Sequence, residues 1–187
     1  MTTIRTATSA DAAHLSRLAA MTFRDTFEAE NTPADMERYM ATTFTPEQQA
    51  AEIANPDSTV LVAEHKLSSG DVELLGYAHL TSESTSEAVL GPAPLELKRL
   101  YVARAWHGRG VAQALMNAVL EAARARGAKT LWLGVWERNA RAVAFYEKYG
   151  FTRVAEHSFA LGSDVQIDWV LARSIDDVPP RNGNLLE

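Results

Sequence analysis

The chain has 187 residues, 47% of them hydrophobic, which is enough to bury one substantial core, and it contains no cysteine. The lack of cysteine excludes disulfides, thiolate metal sites and a cysteine nucleophile. A formal net charge of −6 argues against a nucleic-acid-binding surface and favours a cationic partner, although solubility alone accounts for many such charges.

No linker rich in proline, glycine or serine divides the chain, so we expect one domain over residues 1–175. Residues 176–187 include Pro179, Pro180 and Gly183, and we expect them to form a flexible tail without a functional role. The sequence shows no cationic apolar leader and no apolar run near the length of a membrane span. We therefore expect a cytoplasmic protein with no membrane partner.

The first half of the chain predicts helices followed by strands. Apolar residues at helical spacing between positions 15 and 23 predict an amphipathic first helix. Thr32 with Pro33, and Thr45 with Pro46, are N-cap and first-turn signals for two further short helices.

Glu28 and Glu30 flank the end of the predicted first helix. Two interpretations of this acidic pair stay open. The two carboxylates either contribute to binding a cationic acceptor or form a solvated helix end.

Several strands follow from alternation and turn residues. Residues 60–64 and 74–80 flank a turn of serine, glycine and aspartate at positions 68–71, which predicts a hairpin. Residues 165–171 alternate again and predict a late strand.

The strand predicted over residues 95–102 carries an irregularity. Its apolar side chains fall at odd positions before residue 98 and at even positions after it: Leu95, Leu97, Leu100 and Val102. The alternation therefore slips by one near Lys98 and Arg99, which predicts a β-bulge. Bulges are frequent beside active sites because they leave backbone groups unpaired, but a slightly irregular edge strand is the alternative.

A glycine-rich turn follows this strand and leads into a helix: His107, Gly108, Arg109, Gly110, Val111 and Ala112. Two glycines and the free N–H groups of a helix start can hold a phosphate chain. A dinucleotide fingerprint would need glycine where Gln113 stands, and the chain lacks the Gly-Lys-Ser/Thr run of a P-loop. The turn therefore predicts either a short pyrophosphate cradle or an ordinary strand-to-helix connection.

Beyond the turn, a helix predicted to end at Gly127 leads to a strand over residues 130–136. Both faces of this strand are apolar, so we expect it to be central. Gly134 lies inside the strand, which indicates either close approach of a ligand or space for two flanking tryptophans. Asn139 then predicts the N-cap of a helix that stops at Gly150.

The turn and the last helix together resemble the GNAT superfamily of acyl-CoA N-acyltransferases. The resemblance rests on the x-x-Gly-x-Gly/Ala turn and on a later run of residues: Asn139, Ala142, Phe145, Tyr146, Tyr149, Gly150 and Phe151. His107 departs from it, because the family usually has arginine or glutamine there. The resemblance implies an α+β fold whose mixed, mostly antiparallel sheet has a splayed central strand pair and flanking helices.

The same resemblance implies that acetyl-CoA is the co-substrate. The residues it assigns to cofactor binding are Leu100, Tyr101, Val102, His107, Gly108, Arg109, Gly110, Val111, Ala112, Asn139 and Tyr146. It also places Tyr146 beside the sulfur, as the acid that protonates the departing thiolate. We expect no metal, because histidines are few and show no ligand spacing.

Glu96 is the candidate base, because several GNAT enzymes resemble this chain in placing a glutamate on the strand that leads to the acyl site. The alternative is a surface carboxylate paired with Lys98 or Arg99. His79 and His157 are lesser candidates, each expected to be a strand residue satisfied by a neighbour.

The whole chain is also similar to the PaiA-type polyamine N-acetyltransferases. The residues that carry this similarity are Thr22, Phe23, Asp25, Thr26, Phe27, residues 131–137, His157, Ser158, Phe159, Gly162, Asp164, Gln166 and Asp168. The similarity implies that a small-molecule primary amine, with polyamines among the candidates, accepts the acetyl group. Protein or peptide acetylation, a CoA-binding module without catalysis, and a homodimer stay open.

Overall fold

The computed structural model describes residues 2–161 and 164–176, apart from the side chains of Glu30 and of residues 159–161, 164 and 165. Gly162 and the predicted tail from residue 177 onward lie outside these ranges. The elements in chain order are β1 (Thr2–Thr6), α1 (Ala12–Phe27), α2 (Pro33–Thr43), α3 (Pro46–Ala54), β2 (Ser58–Lys66), β3 (Val72–Thr81), β4 (Pro94–Val102), α4 (Val111–Ala125), β5 (Thr130–Trp136), α5 (Ala140–Lys148), β6 (Thr152–Leu161) and β7 (Asp164–Ser174).

The described strands form one seven-stranded sheet in the order β1-β2-β3-β4-β5-β7-β6. Only β4 and β5 pair in parallel, and every other neighbouring pair is antiparallel. This is the mixed, mostly antiparallel sheet that the sequence predicts, with β5 in its interior. The sequence did not predict β1 and β6, which form the two edges of the sheet.

The parallel pair at the centre of the sheet opens along its length. β4 and β5 are paired only where Pro94–Glu96 lies beside Thr130–Trp132. Beyond that point the two strands separate, so residues 97–102 and 133–136 face a gap rather than each other. The predicted splayed strand pair is therefore confirmed.

The predicted bulge is also present. Leu97 lies opposite Leu80 and Arg99 opposite His79, so Lys98 has no counterpart on β3. Because β4 lies between β3 and β5, it is not the irregular edge strand that was the alternative.

Helices cover both faces of the sheet. One buried cluster joins α1 and α2 to β2 and β3 through residues such as Leu15, Met36 and Val62. The other joins α4 and α5 to the opposite face. The side chains of Thr32 and Thr45 cap α2 and α3, accepting hydrogen bonds from the backbone N–H groups of residues 35 and 48, as predicted. Among the described residues, none of the helices combines the length and the apolar character that crossing a membrane requires.

Candidate active site

A cavity of about 630 Å³ opens where β4 and β5 separate; we call it the first cavity. Most of the predicted cofactor-binding residues line it: Leu100, Tyr101, Val102, His107, Gly108, Gly110, Val111, Ala112, Asn139 and Tyr146. Arg109 does not line it, and its guanidinium carbon lies over the ring of Trp106, 5.2 Å from the ring centre. The splay of the sheet thus brings the end of β4, the glycine-rich turn and α5 around one opening.

The turn at residues 107–112, which we call the cradle, has the backbone that the sequence predicts. Gly108 and Gly110 have φ angles of 73° and 81°, in the region that favours glycine. A Cβ atom on either residue would meet no other atom within 4 Å, so backbone conformation rather than crowding requires glycine here. Gly110 precedes α4 directly, so the free N–H groups of that helix and its dipole favour an anion at the cradle.

His107 is held on both sides of its ring. The Nε2 atom lies 2.8 Å from the carbonyl oxygen of Val102, and Nη1 of Arg141 lies 2.7 Å from Nδ1. A guanidinium can only donate, so Nδ1 accepts and the hydrogen on Nε2 is donated to the carbonyl. The imidazole is therefore fully used by the protein, whereas Arg141 itself lines the first cavity.

Tyr146 lies on α5 with its side chain in the core, and the residue is 8% exposed. It lines the first cavity and also a second one. Burial raises the pKa of Tyr146 well above its ordinary value, so the phenol is protonated at neutral pH. A protonated hydroxyl at the junction of two cavities is placed to donate a proton.

The second cavity, of about 360 Å³, lies on the sheet face that α1 and α2 cover. Eight aromatic residues from the helices and strands line it: Phe23, Phe27, Tyr39, Phe44, Tyr101, Trp132, Trp136 and Tyr146. The acidic side chains at its wall are Glu96 and Asp168, and His157 lies there as well. The arrangement is an aromatic enclosure with carboxylates.

Glu96 lies opposite Trp132 at the narrow end of the splayed pair. Its Oε2 atom is buried and has no hydrogen-bond partner among the described residues. Arg99, one of the two partners considered from the sequence, pairs with Glu52 instead, and Lys98 is exposed. A buried acceptor without a partner suits proton transfer better than a surface ion pair does.

The ion pair of Arg99 and Glu52 is buried beneath the bulge. Nη1 of Arg99 lies 2.7 Å from Oε2 of Glu52, and both side chains are 10% exposed.

His79 lies beside this pair, with Nδ1 3.6 Å from Oε2 of Glu52 and Nε2 3.0 Å from Oγ of Ser58. Burial lowers the pKa of His79 to about 4. His79 lines neither cavity and is a buried strand residue whose Nε2 contacts Ser58, whereas its Nδ1 has no hydrogen-bond partner among the described residues. No sequence pattern pointed to Glu52.

The other acidic residues separate into two groups. Glu28 is exposed and lies 3.5 Å from Arg24, outside the lining of both cavities, which favours the solvated helix end. The side chain of Glu30 lies outside the described part of the chain. Asp168 is the residue that sequence reasoning missed as a site candidate. Burial raises its pKa, and the nearby His157 opposes that rise.

Metal binding has no visible basis in the described part of the chain. Within residues 2–161 and 164–176, no three or more histidine and acidic side chains come together as a metal site would need.

Known proteins are similar to this chain in sequence or in fold. An uncharacterized N-acetyltransferase in the pepI 3′ region of Lactobacillus delbrueckii subsp. lactis is 34% identical over 154 residues, 82% of this chain and 86% of that protein. PaiA N-acetyltransferase from Thermoplasma acidophilum, solved in complex with coenzyme A, superposes with a TM-score of 0.73 at 20% identity, covering 93% of this chain and 99% of its own. YncA of Salmonella typhimurium, solved with acetyl-CoA, gives a TM-score of 0.66 at 21% identity over 95% and 96% of the two chains.

The sequence pattern of the acetyltransferase (GNAT) family matches residues 21–151. That range runs from the end of α1 through the splayed strands and the cradle to α5. The chain therefore belongs to the GNAT family and is an N-acetyltransferase.

Proposed function

We propose that this enzyme transfers an acetyl group from acetyl-CoA directly to the primary amine of a small molecule. The observation that carries the proposal is the position of Tyr146, whose buried side chain lines both the first cavity, at the cradle, and the second, aromatic cavity. One cavity suits a phosphorylated cofactor and the other suits an amine. A reaction between the two must take place beside this hydroxyl.

The cradle supports binding of the pyrophosphate of CoA. Backbone N–H groups at the start of α4 and the helix dipole attract the negative charge, and Arg141 adds a cation at the same opening. The PaiA structure holds coenzyme A and the YncA structure holds acetyl-CoA. The rest of the cofactor then extends into the gap between β4 and β5.

The reaction needs an oxyanion donor, a base and an acid. The neutral amine attacks the thioester carbonyl, and backbone N–H groups near residues 100–102, left unpaired where β4 separates from β5, stabilise the developing oxyanion. Glu96 accepts the proton that the ammonium loses, directly or through water. The C–S bond then breaks, the thiolate takes the proton of Tyr146, and the second proton that the nitrogen loses after attack returns to the phenolate, directly or through water. No covalent enzyme intermediate is formed.

The second cavity supports a cationic acceptor. Its lining holds two carboxylates, Glu96 and Asp168, and two basic side chains, of which Arg99 is paired with Glu52 and Lys98 is an exposed residue. The aromatic faces of the lining attract organic cations. A cavity of about 360 Å³ suits a small molecule better than a polypeptide. Polyamines fit these features, and they are the acceptors implied by the similarity to the PaiA-type enzymes.

Release of CoA with a panel of polyamines, diamines, amino acids, aminoglycosides and short peptides tests the proposal. We expect the highest kcat/KM with small cationic amines, an N-acetylated product by mass spectrometry, and initial-velocity lines that converge because both substrates bind before transfer. Parallel lines would contradict direct transfer. Binding of CoA without turnover of any amine would indicate a binding module, and no heat of binding with CoA would contradict the cofactor assignment.

A further inference from the structure

Asp168 is a half-buried acidic group that forms no salt bridge with any described residue. It lies on β7, opposite Trp136 of β5 and His157 of β6, and it lines the second cavity. Within the described residues its carboxylate makes no hydrogen bond and no salt bridge, and its one favourable electrostatic partner is His157. Asp168 is half-buried, and even partial burial of a carboxylate without a hydrogen-bond partner costs free energy, which a cationic ligand in the cavity would offset.

Gly134 lies beside this carboxylate. A Cβ atom on Gly134 would lie 3.6 Å from Oδ2 of Asp168 and 3.6 Å from Cε1 of His157, which is ordinary contact. At Gly91, by contrast, a Cβ atom would lie 2.1 Å from Oγ1 of Thr130, so packing requires that glycine. Packing does not require Gly134. Of the two interpretations open from the sequence, space for the flanking tryptophans is therefore not supported, and close approach of a ligand stays open.

Aromatic rings complete the surroundings of the carboxylate. Trp136 is the register partner of Asp168, and its ring centre lies 5.6 Å from that of Phe27. Both rings line the second cavity. A carboxylate combined with aromatic faces in a partly dry enclosure is the environment that an organic ammonium prefers.

The position of Asp168 distinguishes it from the proposed base. Glu96 lies opposite Trp132 of β5, and Asp168 lies opposite Trp136 of the same strand. The two positions on β5 are four residues apart, which is about 13 Å at the usual rise of a strand. The reacting nitrogen must lose a proton before it attacks, and a carboxylate fixed beside it as a counterion would oppose that loss. A carboxylate well away from the base instead suits a nitrogen that stays protonated.

We propose that Asp168 and Gly134 form a subsite for a second, non-reacting ammonium group of the acceptor. The inference rests on the proposed function, and it narrows the acceptor to molecules with at least two amino groups. One nitrogen is acetylated near Tyr146, while the other remains a cation at Asp168.

A matched substrate pair tests the subsite. 1,4-Diaminobutane and 1-aminobutane share a carbon chain and differ in the second amine. We expect the wild-type enzyme to prefer the diamine at least about tenfold in kcat/KM, because a charge-assisted hydrogen bond is worth about 1.5–3 kcal/mol. Asp168→Asn should lower kcat/KM for the diamine about tenfold or more and change that for the monoamine about twofold or less. Glu73→Gln, which removes the same charge from an exposed strand position, is the control.

Gly134→Ala probes the open space without removing charge. The added methyl group fits the protein, so the variant should fold and bind CoA as the wild type does, while KM for the diamine rises several-fold. Thermal unfolding and CoA affinity, measured on each variant, establish that it is folded. If Asp168→Asn does not fold, Asp168→Glu replaces it in the experiment. This variant keeps the negative charge but moves it, so it should show a smaller preference for the diamine over the monoamine.

The outcomes separate the two levels of inference. If the wild-type enzyme acetylates no amine at all, the proposed function fails. If it acetylates amines but shows no preference for the diamine, the subsite is overturned. The same conclusion follows if folded Asp168→Asn keeps that preference, or if its kcat/KM falls equally for the diamine and the monoamine.

Discussion

Arg141 donates a hydrogen bond to Nδ1 of His107 over 2.7 Å, which joins α5 to the cradle. His107 stands where the family usually has arginine or glutamine, and both of its ring nitrogens are engaged. The imidazole is therefore a positioning group, and we infer that Arg141 supplies the cation that contacts the cofactor phosphates.

Arg141→Gln should weaken CoA binding about tenfold, because it removes one charge-assisted hydrogen bond to phosphate. Calorimetry at low salt measures the change, and the difference from wild type should shrink as ionic strength rises. Arg17→Gln removes the same charge from an exposed position of α1 and should have little effect. Equal CoA affinity in Arg141→Gln and wild type would rule out this role.

Removal of the Tyr146 hydroxyl tests the acid. Tyr146→Phe keeps the buried ring, so acetyl-CoA affinity should change little while turnover falls about 10²-fold or more. Because burial raises the pKa of Tyr146, the phenol should remain a proton donor across the pH range from 6 to 10. Loss of the donor by ionisation should therefore not lower wild-type turnover within that range.

Tyr149→Phe is the matched control for the acid. Tyr149 directly follows α5 and its hydroxyl donates to the carbonyl of Gln113 over 3.4 Å, outside the lining of either cavity. Turnover of Tyr149→Phe should stay near that of the wild type. If the two phenylalanine variants behave alike, Tyr146 is a packing residue and the acid lies elsewhere.

Glu96→Gln tests the base through the pH dependence of its effect. Without the carboxylate, the enzyme depends on amine that has already lost its proton in solution, and that fraction grows as pH approaches about 10. The rate deficit relative to wild type should therefore be largest near neutral pH and should shrink as pH rises. Glu87→Gln, at an exposed position, is the control. A deficit that is the same at every pH would argue against proton removal by Glu96.

Much of the site could be predicted because its signals are local. The slip in alternation at Lys98 is a property of nine residues and correctly gave the bulge. The glycines of the cradle act through their own backbone, and Asn139 caps α5 with its own side chain, so their roles follow from residue type and spacing. These features position the cavity above the cradle.

The parts that could not be predicted depend on contacts between distant residues. Glu52 and Arg99 are 47 residues apart in the sequence, and His107 and Arg141 are 34 residues apart, so no local pattern predicts either contact. The edge strand β1 was missed because its residues are exposed or half-buried, so its alternation is weak. Asp168 approaches Gly134 only because β7 pairs with β5.

The buried pair of Glu52 and Arg99 predicts a large effect on stability. Glu52→Gln leaves the Arg99 guanidinium without a counterion at a site where both side chains are 10% exposed. We expect the free energy of unfolding to fall by about 3 kcal/mol. Chemical denaturation measures this, with Glu47→Gln at an exposed position of the same helix as a control that should cost a few tenths of a kcal/mol.

The double variant Glu52→Gln, Arg99→Met separates the charge effect from lost packing. Removing both charges should recover much of the stability that the single variant loses, because the penalty comes from the unpaired cation. If Glu52→Gln is as stable as wild type, or if the double variant is no more stable than the single one, the ion pair does not have the structural importance inferred here.

His79 predicts how stability depends on pH. Burial lowers its pKa from 6.5 to about 4 in the folded protein, opposed by Glu52 and assisted by Arg99 and Lys98. Between these two values the unfolded chain binds a proton that the folded protein does not. The contribution of His79 to stability is therefore full above pH 6.5 and is lost as pH falls towards 4, at up to about 1.4 kcal/mol per pH unit.

Denaturation of wild type and His79→Gln at steps from pH 7 to pH 4 measures this contribution. The variant should show a shallower loss of stability, because its unfolded chain no longer takes up that proton. His14→Gln, at an exposed position of α1, should keep the wild-type slope. The Arg5 guanidinium holds the pKa of Asp11 below its usual range, so the stability from that carboxylate is lost mainly below this window. An unchanged slope in His79→Gln would mean that His79 is accessible to protons in the folded state.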